Sequence, residues 1–195
     1  MTRTFRSILF LFAFLITPFL VGCTHVEPGH VGVEIDSCSG GGVKNVPVGV
    51  GYHGTGPYTS IVEYPTNVQT ASWTHDPHEG NPANEEITFT NVDGLQFAAD
   101  ISLSYQLDGS KAPAFYTKFK ADDISTFTHG FLRNVARQNF DAVGGKCKVE
   151  QIMGDNKKLL DDVQGAIQKE VAVYGINIIQ FGFIGAPRPP QAVTD

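Results

Sequence analysis

His75-Asp76-Pro77-His78-Glu79 places two imidazoles and two carboxylates within five residues. These are donors that a borderline metal such as zinc takes. Pro77 keeps the run out of a helix, because it lacks a backbone N–H and its ring clashes with the preceding turn. No regular element therefore fixes the direction of the donors, whereas functional metal sites sit on rigid supports with oriented ligands. A solvated loop tip is the plainer expectation, and a metal held by His75 and His78 stands beside it.

Other constellations are scarce. The chain has no G-x-S-x-G elbow, no H-E-x-x-H, no C-x-x-C and no Walker loop. Gly49-Val50-Gly51-Tyr52-His53-Gly54 is a literal G-x-G-x-x-G. A phosphate cradle needs a helix opening directly behind it. Here Gly56-Pro57 and the strand-like "YTSIVEYP" follow, so loop structure is expected. Arg133 and Arg137 stand four apart on a helical stretch with Asp122 and Asp123 near its start. They suit anionic headgroups or a partner's carboxylates, although a solvated helix face is commoner. The net charge is −6, and no basic stripe interrupts it. Such a surface repels phosphate backbones and argues against a nucleic-acid partner. No catalytic residues and no cofactor are expected.

The cysteines turn on the amino terminus. Arg3 and Arg6 precede an uncharged run from Ser7 to Gly22, 16 residues long. That is slightly short of the roughly 17–25 residues that span a bilayer as a helix, and Pro18 weakens its far end. Leu20-Val21-Gly22-Cys23 resembles the lipobox of bacterial lipoproteins, which makes residues 1–22 a signal peptide and Cys23 the lipidated residue. An uncleaved membrane anchor is the alternative. Either way the positive end stays in the cytosol and the remainder emerges on the periplasmic side. With the leader removed, the 14 basic residues lose Arg3 and Arg6, leaving 12 against 20 acidic, a net of −8. Cys38 and Cys147 then share a compartment that permits disulfides. Paired, they would close a loop of about 110 residues, worth about 3–5 kcal/mol in the chain-entropy account; two separate thiols are the alternative.

The elements that must position these groups follow from periodicity. Val31, Val33 and Ile35 alternate with small or polar residues behind a Pro-Gly turn, and "YTSIVEYPTNVQTASW" gives one or two strands broken at Pro65. Tyr64 and Trp73 in that stretch suit an interior or hairpin-packing role better than a membrane interface. Ile87 and Phe89 lead to Asp93-Gly94, expected as a two-residue hairpin turn. Beyond it Phe97, Ala99, Ile101, Leu103, Tyr105 and Leu107 share one face, and Asp100, Ser102, Ser104 and Gln106 the other. A short helix is expected over "DGSKAPAFYTKF". A longer one carries Ile124, Phe127, Phe131 and Val135, and another carries Leu159, Leu160, Val163, Ile167 and Val171 with Gly175 as its cap. The apolar strand "INIIQFGFIGAP" changes phase between Ile178 and Ile179, which points to a bulge. Strands, then helices, then one returning strand define an α+β domain with two or three helices packed on an antiparallel sheet.

In order and spacing, "VEPGHVGV", "GYHGTGPYTSIVEYPTNVQT", "TNVDGLQFAADISLSYQL", "DNKKLLDDVQGAIQKEVAVYGINI" and "RPPQAV" resemble the SPFH or band 7 domain of the stomatin, prohibitin and flotillin families. The likeness runs from about Val26 to the last residue, which gives a signal or anchor over 1–22 and one SPFH-like domain over 23–195. It implies a scaffold without catalysis, held at a membrane lipid surface. Such a protein self-associates into homo-oligomers and organises or regulates a partner membrane protein, in bacteria a membrane-anchored AAA protease. Family members normally continue into a long Ala/Glu-rich helix that drives assembly, and the sequence ends at Asp195 without that coiled coil. A monomeric ligand-binding or structural envelope lipoprotein is the rival expectation.

Overall fold

A computed structural model of the chain describes residues 22–38, 41–120 and 123–190. The strands among them are β1 (Gly22–Val26), β2 (His30–Asp36), β3 (Gly42–Val43), β4 (Gly51–Thr55), β5 (Thr59–Pro65), β6 (Gln69–Trp73), β7 (Ile87–Thr90), β8 (Gln96–Ala99), β9 (Ile101–Leu107) and β10 (Ile176–Phe183). The helices are α1 (Ala112–Phe119), α2 (Ile124–Phe127), α3 (Arg133–Gly144), α4 (Val149–Met153) and α5 (Lys157–Val171). Every strand pair is antiparallel: a β1–β4 ribbon, a β3–β2–β5 sheet, a β6–β9–β10 sheet and a β7–β8 hairpin.

The alternation along 97–107 becomes the wall of the core. Phe97, Ala99, Ile101, Leu103, Tyr105 and Leu107 are all buried, while Ser102, Ser104 and Gln106 are half-exposed. The chain changes partners at Asp100 without changing face: β8 pairs β7 before it, and β9 lies between β6 and β10 after it. Helices α3 and α5 pack on each other, α3 covers β7, and α5 covers β10. The stripe of α5 seats Leu159, Val163, Ile167 and Val171 in the core. Each such side chain contributes about 1.5–3 kcal/mol over an exposed one. Gly175, at φ 83°, ends the turn that follows α5 and lets the chain reverse into β10. The bulge in β10 falls between Ile178 and Gln180 and leaves Ile179 turned out to solvent.

Several local expectations are corrected. The β7–β8 connection is five residues, Asn91 to Leu95, because Thr90 pairs with Gln96. Buried Asn91 organises it, its Oδ1 accepting from the N–H groups of Asp93 (3.0 Å) and Leu95 (2.8 Å). The stretch expected as one long helix carries a π turn, Thr128–Leu132, between α2 and α3. This wider turn brings Leu132 into the core while Phe131 stays half-buried, packed against Phe119 and Tyr174. Helix α4 has one buried residue, Ile152, and five residues are too short to show a period. The second half of the glycine-rich motif is strand β4, not loop, because β1 offers it a partner from Gly22 to Val26.

Candidate functional site

Cys23 is the second residue of β1 and is exposed. It lies opposite Gly54 of β4, and His25 lies opposite Tyr52. Facing residues of an antiparallel pair project to the same side, so Cys23 and His25 share the outer face with the Tyr52 ring, which stacks on His25 at 4.4 Å. Thr24 and His53 form the opposite, half-buried face. The residue expected to carry lipid is thus part of the folded body.

The polar loop around His75 is built on itself. The His78 N–H donates to Asp76 Oδ1 at 2.8 Å, and the Thr74 hydroxyl lies 3.0 Å from the Asp76 carbonyl and 2.5 Å from that of Glu79. His75 is exposed; its backbone N–H donates to Asp100 Oδ1 at 2.9 Å, and its Nδ1 lies 3.8 Å from Glu86 Oε1. Both carboxylates are also held by Arg188, which donates to Asp100 from Nη1 (2.6 Å) and Nη2 (2.8 Å) and to Glu86 from Nη2 (2.7 Å). The two carboxylates near His75 are thus neutralised by the Arg188 guanidinium. Among the described residues no group of three His, Cys, Asp or Glu side chains is arranged to hold a metal ion.

This cluster sets local titration. Hydrogen bonds from Arg188 hold the Asp100 carboxyl below the usual range against its partial burial. Burial pushes Glu86 up, but hydrogen bonds from Asn84 and Arg188 outweigh it and leave the group lowered. The Arg188 main chain is bound as well: its N–H donates to the Ala98 carbonyl at 2.7 Å, and its carbonyl accepts from the Ala98 N–H at 3.0 Å. The segment after β10 is thereby fastened across β8 and the head of β9.

A second cluster, Glu85 with His129, was not foreseen in the sequence. Buried Glu85 bonds His129 Nδ1 through Oε2 at 2.7 Å and accepts from Asn81 Nδ2 at 3.2 Å, while Arg133 Nε donates to its carbonyl at 2.9 Å. The π turn presents His129 at a cleft of about 400 Å³ that Ser125 and Thr128 also line. A nucleophile must be bonded to its base. Here the Ser125 hydroxyl donates to Asp123, and Thr128 donates to the Ile124 carbonyl and contacts the Tyr105 hydroxyl. The pair ties the 74–86 loop to the helices. A lone His and a Glu 44 residues apart give no sequence signal of this.

The remaining expected site residues have assigned places. Cys38, after β2, and Cys147, after α3, are both free thiols. Burial and the charge of Asp162 push the Cys147 thiol up, which keeps it protonated and weakly nucleophilic. Arg133 is committed to Glu85, and Arg137 donates to Asn134 Oδ1 at 3.0 Å; Asp122 lies outside the described residues. Trp73 and Tyr64 are fully buried, Tyr64 edge-on to Phe115, so both serve the interior.

The architecture is thus an antiparallel α+β body with the segment after β10 fastened across it. The model of the SPFH domain / Band 7 family matches residues 24–195, and the chain belongs to this family. The family consists of membrane-associated scaffolds. A search of the curated proteins returned no match. Among the described residues no helix is long and apolar enough to cross a membrane.

Proposed function

We propose that this chain is a lipoprotein scaffold, cut before Cys23 and acylated there. It would self-associate on the periplasmic face and organise or regulate a partner membrane protein, a membrane-anchored AAA protease being the class of partner. The observation that carries this is the uncharged run from Ser7 to Gly22, which leads without a spacer into the Cys23 strand of an SPFH domain. A processed lipoprotein carries two or three acyl chains, enough for a stable anchor where one chain is marginal. Confinement to a plane raises local concentration, so weak lateral contacts suffice for assembly. The activity is binding, with no bond made or broken. Mass spectrometry of the mature protein from membranes tests the anchor: acylated Cys23 as the first residue is expected, and an intact Met1 or Thr2 terminus contradicts it.

A cleft of about 660 Å³ between α3, α4 and α5, floored by Val143, Cys147 and Leu159, favours the rival of a monomeric ligand-binding lipoprotein. Cross-linking of the full chain in intact membranes separates the two, single chains alone favouring the rival.

A further inference from the structure

The β1–β4 ribbon and the segments that flank β4 carry four exposed large apolar side chains. Tyr52 is 78% exposed, Tyr58 in the β4–β5 turn 61%, Val46 76%, and Val50, just ahead of β4, 56%. Residues 41–62 contain no aspartate or glutamate, in a chain that has 20 of them, and neither does β1. Tyrosine is an amphipathic ring with an apolar body and a polar tip, suited to the boundary between headgroups and acyl chains.

We infer that the outer face of this ribbon, which bears Tyr52, seats in the headgroup region of the bilayer, with Tyr58 in the turn beyond β4 as a second anchoring ring. The occupant follows from where the acyl chains are attached. Cys23 lies within β1 itself, so no linker separates the lipid from the ribbon. The Cys23 side chain leaves the ribbon on the face that bears Tyr52, and a chain attached at Cys23 draws that face down. Charge acts in the same sense: acidic residues elsewhere are repelled by anionic headgroups, and the acid-free ribbon is not. Seated this way, the body is held in one orientation rather than swinging on a tether, so copies in a membrane present the same flanks to one another.

The inference rests on the membrane attachment proposed above. Its test uses the full chain extracted from membranes and reconstituted into phosphatidylcholine–phosphatidylglycerol vesicles, with and without bromine-labelled acyl chains. Tyr52→Trp and Tyr58→Trp are compared with Val92→Trp, an exposed position in the β7–β8 turn, while buried Trp73 gives a constant background. Brominated lipid should quench the emission added by Tyr52→Trp and Tyr58→Trp and leave that added by Val92→Trp intact. Equal quenching at all three positions in chains that float with the vesicles overturns the seated face and leaves attachment standing. Chains that do not float overturn both.

Discussion

Arg188 grips Asp100 through both Nη atoms, at 2.6 and 2.8 Å, across 88 residues of chain. The same guanidinium reaches Glu86 at 2.7 Å. A planar fork matched to a carboxylate gives direction as well as energy. The segment after β10 therefore crosses β8 along a set path.

Arg188→Ala should lower stability by about 1 kcal/mol, because the side chain is nearly half exposed and solvent screens a bond otherwise worth about 1.5–3 kcal/mol. Arg188→Lys should recover only part of this, since an ammonium cannot span both oxygens. Urea denaturation of the three proteins measures it. A lysine variant equal to wild type would show that charge, not the fork, matters.

The same cluster predicts an acid limb. Asp100 and Glu86 are held below their usual range. Their contribution is complete above the unfolded carboxylate values of about 4 and is lost as pH falls through the lower folded values. Asp100→Asn removes one titration. Its urea midpoint should lie below wild type at pH 7, with the gap closing towards pH 3. A gap constant over that range refutes the assignment.

The sheet and the two long helices were legible because their signals are periodic. Leu103 or Val163 announces its face by spacing alone, and hydrophobic burial acts on that spacing directly. The β10 bulge was readable for the same reason, as a slip of phase at Ile179. Features set by partners far along the chain were not readable. Nothing beside Gly51 says that β1 will pair with it, nothing beside Arg188 names Asp100, and the Glu85–His129 bond joins a loop to a π turn. Composition alone suggested a solvated loop at His75–Glu79, with a metal at His75 and His78 as the lesser alternative, and it gave no sign that Arg188 would bind the Asp100 and Glu86 carboxylates beside His75.

Removing His129 leaves the buried Glu85 carboxylate without its imidazole partner. His129→Ala should cost about 1–3 kcal/mol, the penalty of an unmet buried acceptor, and Glu85→Gln in that background should restore part of it. A double-mutant cycle in urea measures the coupling. Strictly additive losses would mean that the two side chains do not act together.

Gly144 is where α3 meets β7. A Cβ there would lie 2.6 Å from Phe89 Cδ2, and that ring is held between Phe140 and Phe97. Overpacking costs about 1–3 kcal/mol, against a helix-propensity gain of up to about 1 kcal/mol for alanine over glycine. Gly144→Ala should therefore lower the melting temperature, by about 2–8 °C for a net loss of 1–2 kcal/mol. An unchanged or higher value would show that the helix end yields freely.

Self-association at the membrane is the centre of the functional account. The direct measurement is chemical cross-linking of the native protein in intact membranes at its natural expression level, resolved by size. A ladder of multiples of the single chain, lost when detergent dilutes the plane, is the predicted result. Single chains alone, under conditions that cross-link a known membrane oligomer in the same sample, would contradict it.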